Sequence, residues 1–313
     1  MKNDCKTMVL KSGVELINKD IENQRKRGYW PWKAYNNEIC PRGRWGGYNH
    51  CEVKHRYRTV CGRGDCPICG KENSFAHHRR YQRGRMKIKE MLEEGYVGYM
   101  VITCNENERK KWDNKKELNR IGKYVIRMLK RELGKNLRGV AVWHYSGEKS
   151  HKWYPHLNVL FNRGYIEEEK LKEIKEKIYK KIGVKVVNYR YSRNIKRVIN
   201  HWWKYITRPT FLLQNEVEYE KIKGMKNIKW FGKFKKEKEY ERMSGEDFLK
   251  MCYEWYKEGY FKSVKDMARF IIVNNRCIMC GEKQKWKPIN LNEIDNSNND
   301  WKDLGWGIFV KKE

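Results

Sequence analysis

An α+β fold built on an antiparallel sheet is what this sequence predicts, on three observations. Between residues 96 and 212, apolar runs of strand length alternate with stretches of helical periodicity, in the order β-α-β-β-α-β plus one further helix. The two helical stretches inside that order each stop at a glycine. The two middle strands are joined by a short polar segment, as the arms of a hairpin are. This order is the split-βαβ, ferredoxin-like or RRM-like, pattern. Residues 1–95 form a Cys-, Arg- and Gly-rich region ahead of it. Residues 213–313 form a basic extension with a helical middle.

The elements follow in order. YVGYMVITC (96–104) is an apolar strand. Leu118, Ile121, Val125, Met128, Leu129 and Leu133 recur at helical spacing, with Gly134 as the stop. RGVAVWHY (138–145) and PHLNVLF (155–161) are the arms of the hairpin, around the polar GEKSHK. Ile166, Leu171, Ile174, Ile178 and Ile182 mark a second helix ended by Gly183, and VKVVNYRY (184–191) is β-branched and alternating. Asn194 can cap a third helix that carries Ile195, Val198, Ile199, Trp202 and Ile206 on one face, with Pro209 past its end. In this topology the third strand is central and lies beside the first. The two inner helices cover one face of the sheet and leave the other open. Further on, FKSVKDMARFIIV (261–273) has the spacing of a packing helix.

The chain carries 70 Lys and Arg against 39 Asp and Glu, a net charge of +31, together with 13 Trp and 20 Tyr. Such a surplus attracts polyanions, nucleic acid first and an anionic membrane surface second. Basic charge mixed with aromatics suits single strands, whose unpaired bases stack on rings while cations meet phosphates. No apolar run approaches the ~20 residues of a membrane span. The N-terminal residues have no signal-peptide core, so an intracellular setting is expected. There, ten cysteines point to metal binding rather than to disulfides.

The strand WYPHLNVLF (153–161) raises the chemical question. Leu157, Val159 and Phe161 alternate on the face toward the helices, which puts His156 and Asn158 on the open face. If the hairpin is symmetric about Ser150, His144 lies directly opposite His156. Two imidazoles and an amide oxygen would then converge on a divalent ion. The hard amide oxygen favours Mg²⁺ or Mn²⁺. With another register, Glu148 or His151 takes the place of His144. At ~100° per residue, Tyr205 sits at the edge of the apolar face of the third helix. His201 lies one turn before it and Arg208 one turn after, with Lys204 alongside. These are a proton acceptor and cations beside a phenol.

These parts resemble the HUH endonucleases, and most closely the rolling-circle replication initiators of plasmids and viruses. MVITC with Thr103 resembles the apolar first motif. Pro155-His156-Leu157-Asn158-Val159-Leu160 resembles the second. His201-Trp202-Trp203-Lys204-Tyr205-Ile206-Thr207-Arg208 resembles the third. The motifs stand in the family's order over about a third of the chain. Asn158 replaces a second His but keeps a metal-binding oxygen. His201 stands where a second Tyr would be, which implies a single-Tyr enzyme. Arg208 replaces Lys, and His144 takes the place of an acidic third ligand. The resemblance implies transesterification on single-stranded DNA at a replication origin. With a divalent ion on His144, His156 and Asn158, Tyr205 attacks the phosphorus. A 5′-phosphotyrosine and a free 3′-OH result, the latter priming a polymerase, with host replication proteins as implied partners. A transposase or relaxase shares this chemistry. A non-catalytic binder shares the βαββαβ pattern but places base-stacking aromatics on the open face instead.

Cys61-x4-Cys66-Pro67-Ile68-Cys69-Gly70 is a zinc-knuckle signature. Cys51 is the first choice of fourth ligand, Cys40 the next, with His77 and His78 behind them. Initiators of this kind often carry such a cluster ahead of the first motif. Cys277-Ile278-Met279-Cys280-Gly281 is a second half-site for zinc. Its partners are open between Cys252, Cys40, Cys5 and a second chain.

Overall fold

The computed structural model describes residues 45–51, 53–58, 75–104, 106–107, 109–146, 153–184, 186–208, 221–222, 225–285, 287–288, 301–305 and 308–311. Cys5, Cys40, Cys61, Cys66, Cys69, Glu148 and His151 lie outside these residues, as do the side chains of His77 and His78.

A five-stranded antiparallel sheet forms the centre. Its strands are β3 (Val97–Thr103), β4 (Gly139–Ser146), β5 (Trp153–Phe161), β6 (Val186–Ser192) and β7 (Ile228–Phe231), in the order β6-β3-β5-β4-β7. Strands β3 to β6 thus follow the split-βαβ arrangement, with β5 central and beside β3. The hairpin register pairs His144 with His156, the partners that symmetry about Ser150 requires.

Alternation on the strands feeds two cores. Met100, Ile102, Ala141, Trp143, Leu157, Val159 and Phe161 face α2 (Lys115–Leu133) and α3 (Glu168–Ile182). Asn114 caps α2 by accepting the Glu117 N–H, and α3 ends at Gly183 in the left-handed conformation, φ 82°.

The opposite face, expected to be open, is covered. Val97, Val140, Val142 and Leu160 pack there against α1 (Phe75–Glu93) and α4. The latter comprises a π-helical stretch, Lys196–Trp203, and an α-helical turn, Lys204–Ile206. Behind these lie α5 (Lys236–Arg242), α6 (Gly245–Lys257) and α7 (Val264–Val273). Apolar strand residues on that face need burial as much as those on the other, and α1 and α4 provide it. The helix expected over 261–273 is α7, whose Ala268, Phe270, Ile271 and Ile272 are buried.

Two short strands near the N-terminus, β1 (Trp45–His50) and β2 (Val53–Arg58), join β8 (Lys287–Pro288), β9 (Trp301–Gly305) and β10 (Ile308–Lys311) in a second sheet, ordered β8-β1-β2-β10-β9. β1 and β2 thus share one sheet with β8, β9 and β10, and α1 belongs to the second layer of the central sheet.

Candidate active site

Strand pairing alone creates a polar row. Thr103 on β3 pairs with His156 on β5, which pairs with His144 on β4, so the three share one face at the same level. One step along, Asn158 lies between Val101 and Val142. The His144 and His156 rings are 5.1 Å apart and nearly perpendicular, and the Tyr205 ring is 5.7 Å from His144. The sequence assigned His144, His156, Asn158 and Tyr205 to one site, and the fold brings them together.

Each imidazole is held by a backbone carbonyl. His144 Nε2 meets Ile206 O at 2.8 Å, and His156 Nδ1 meets Tyr154 O at 3.0 Å. A carbonyl only accepts, so each of these ring nitrogens carries the proton. Burial, reinforced by His156, pulls the His144 imidazole down to about 3, so it is neutral near pH 7. Its Nδ1 then bears a lone pair, is fully buried, and has no hydrogen-bond partner among the described residues. This arrangement, with one nitrogen tied to a carbonyl and the other left as a base, is that of metal-binding histidines. The Asn158 Oδ1 accepts the Tyr99 hydroxyl at 2.7 Å, which fixes the amide oxygen and leaves it a second lone pair. Imidazole nitrogen and amide oxygen, the donor types a divalent ion takes, thus lie on one face of the sheet.

α4 differs from the regular α-helix assumed at ~100° per residue. Its π-helical stretch turns less at each residue, and both Trp202 and Trp203 are buried. Asn194 caps it as expected, accepting the Arg197 N–H at 3.0 Å. His201, expected beside Tyr205, is exposed. It lines a cleft of about 750 Å³ with Tyr165, Tyr189, Arg190, Tyr191 and Arg197. Arg208 stays with Tyr205, its guanidinium 5.6 Å from the ring centre, and Lys204 is half-buried on the same turn.

Two participants escaped sequence reasoning. Tyr99 orients Asn158, and its place on the His156 face follows from the parity of β3, counted back from Thr103. Arg80 on α1 lies close enough to His144 to help depress its pKa, as does Arg208. No spacing in the sequence connects Arg80 to β4.

A separate cluster lies at the second sheet. His50, Cys51, Cys277 and Cys280 each bring one ligand atom to within 4.8 Å of the others, and such a set can hold a metal ion. Cys51, assigned by sequence to Cys61, Cys66 and Cys69, therefore sits with Cys277 and Cys280. The tip of the β1–β2 hairpin reaches the C-terminal half, while Cys61, Cys66 and Cys69 lie outside the described residues. Cys252 is elsewhere, buried in the second core.

No helix among the described residues is long and apolar enough to cross a membrane. Comparison with protein-family models, curated proteins and solved structures finds no match.

Proposed function

We propose that the chain nicks and rejoins single-stranded DNA at a replication origin, as an HUH-type initiator with Tyr205 as the nucleophile. The observation that carries this reading is the convergence of the polar row on Tyr205, with His144 between His156 and the phenol ring. A divalent ion, Mn²⁺ or Mg²⁺, bound by His144, His156 and Asn158 supplies Lewis-acid polarisation of the scissile phosphate. The chain does the rest. Ile206 O and Tyr154 O hold the imidazoles, and Tyr99 holds the amide oxygen. Arg80 and Arg208 place positive charge where a phosphate enters. Tyr205 Oη attacks phosphorus and gives up its proton. The bond from phosphorus to O3′ breaks, and the 3′-oxygen takes a proton. Because one ester replaces another, rejoining reverses the step without ATP.

Incubation with labelled single-stranded DNA from the replicon that encodes the chain, with Mn²⁺ or Mg²⁺, is expected to give a covalent adduct. It is expected to be lost in Tyr205→Phe and on chelation, and to persist in Tyr154→Phe. Tyr154 is the control because its ring lies 6.1 Å from His156. An adduct that survives Tyr205→Phe overturns the assignment. Cutting at the ends of a mobile element instead of an origin would make the chain a transposase or relaxase of the same chemistry.

A non-catalytic single-strand binder is the second reading. It is favoured by a trio of exposed rings, Tyr96, Tyr165 and Tyr191, with centroids 5.3 to 6.4 Å apart and Arg193 over Tyr96. Binding without any adduct, whatever the metal, would select it.

A further inference from the structure

The Cys51 and Cys277/Cys280 cluster plays no part in the nicking chemistry, yet it is built in detail. Residues 277–281 form a tight knuckle. The Gly281 N–H donates to Cys277 O at 2.9 Å, the Cys277 N–H to Glu282 O at 2.9 Å, and the Met279 N–H points at Cys277 Sγ at 3.4 Å. Amides aimed at sulfur are what a thiolate ligand needs. Gly281 is required twice over. Its φ is +71°, and a Cβ there would lie 2.0 Å from Gly245 O. Arg276 anchors the knuckle to the helical body, donating to Gly281 O at 2.9 Å and to Tyr240 O at 2.8 Å.

From the other side comes the tip of the β1–β2 hairpin. His50 pairs with Val53, and Cys51 follows it in the turn at the hairpin tip. Neighbours in a strand point to opposite faces. Cys51 escapes that rule because its φ is +46°, a left-handed conformation that costs a non-glycine residue about 1 kcal/mol. That turn is what lets adjacent His50 and Cys51 both address the knuckle.

We propose that His50, Cys51, Cys277 and Cys280 form a zinc site that fastens the hairpin tip to the C-terminal knuckle. Three thiolates and one imidazole are a closed, tetrahedral, structural donor set for zinc. With metal–sulfur bonds of about 2.3 Å, ligand atoms stand roughly 3.8 Å apart. A spread of at most 4.8 Å thus closes by side-chain adjustment alone. Binding releases the three thiol protons.

The test measures zinc per chain in the full-length protein for Cys51→Ser, Cys280→Ser and the double variant. Each single variant is expected to lose one equivalent, and the double variant the same one. Loss of two equivalents in the double variant overturns the proposal, because Cys51 would then serve another site. Unchanged zinc in both single variants overturns it too, as does a Cys277–Cys280 disulfide in the intact mass of the purified chain. Should the serine variants precipitate, Cys280→His with cobalt in place of zinc decides. It keeps four ligands, and the thiolate-to-cobalt absorption is expected to weaken relative to the parent chain. An unchanged cobalt spectrum sinks the proposal.

Discussion

Arg85 shows how much one residue can carry in a chain so rich in cations. Its side chain is fully buried. It donates to both Asp266 oxygens, at 3.0 and 2.9 Å, and to Tyr260 O, among the rings of Tyr81, Tyr260 and Phe261. Removing one partner of such a pair strands the other, so Arg85→Met is expected to cost about 3–5 kcal/mol in urea unfolding. The double variant Arg85→Met/Asp266→Leu is expected to recover part of that loss. Asp266 also gives a pH signature. Burial alone would raise its pKa, but Arg85, Gln82 and the Lys262 N–H outweigh burial and lower it. A carboxylate with a depressed folded pKa contributes stability that is complete above its unfolded value near 4 and is lost as pH falls toward the lower folded value. Asp266→Asn is therefore expected to flatten the acid limb of the stability curve below about pH 4. At the proposed active site, Tyr99→Phe removes the donor that orients Asn158. Titration with Mn²⁺ is expected to show about 10–100-fold weaker binding.

Among the elements, α4 has the tightest fit. It crosses α1 where Gly84 meets Trp203. A Cβ on Gly84 would lie 2.1 Å from the indole, whose Nε1–H donates to Tyr81 O at 2.8 Å. Gly84→Ala is expected to lower the urea midpoint by the equivalent of about 1–3 kcal/mol and to slow adduct formation, since α4 carries Tyr205. The elements that sequence reveals and those it hides differ for a physical reason. β3 to β6, α2 and α3 have clean periods, and Gly134 and Gly183 stop the helices. The pairing of His144 with His156 follows from the length of the hairpin. α1 hides because its buried face includes Gln82, Arg85, Lys89 and Glu90. These are neutralised by Asp266, Glu258, Arg138 and each other, partners remote in sequence. Interleaved with Tyr81, Ile88 and Met91, these charges break up the apolar stripe that would mark the helix.

For the whole molecule, the charge of +31 means that the proposed binding to nucleic acid is expected to depend on counter-ions. A single strand engaging about six phosphates is expected to give a slope near −4 for log affinity against log salt. Tyr165→Ala and Tyr191→Ala are expected to weaken binding by about 1–3 kcal/mol per base unstacked while leaving that slope unchanged. The overall assembly was the least legible level. Nothing in local spacing tells that β2 lies between β1 and β10, or that Cys51 meets Cys277. Such contacts join segments from the two ends of the described chain and leave no periodic trace. They do have a consequence in time. Lys54 of β2 pairs with Phe309 of β10. At translation rates of about 5–20 residues per second, β2 waits roughly 10–50 s for that partner to be made. Its hydrogen-bonding edge stays bare throughout. The Cys277–Cys280 knuckle leaves the ribosome before β10 does, so the hairpin tip can be held in place while its edge is still open. The order of synthesis thus becomes part of how the second sheet is assembled.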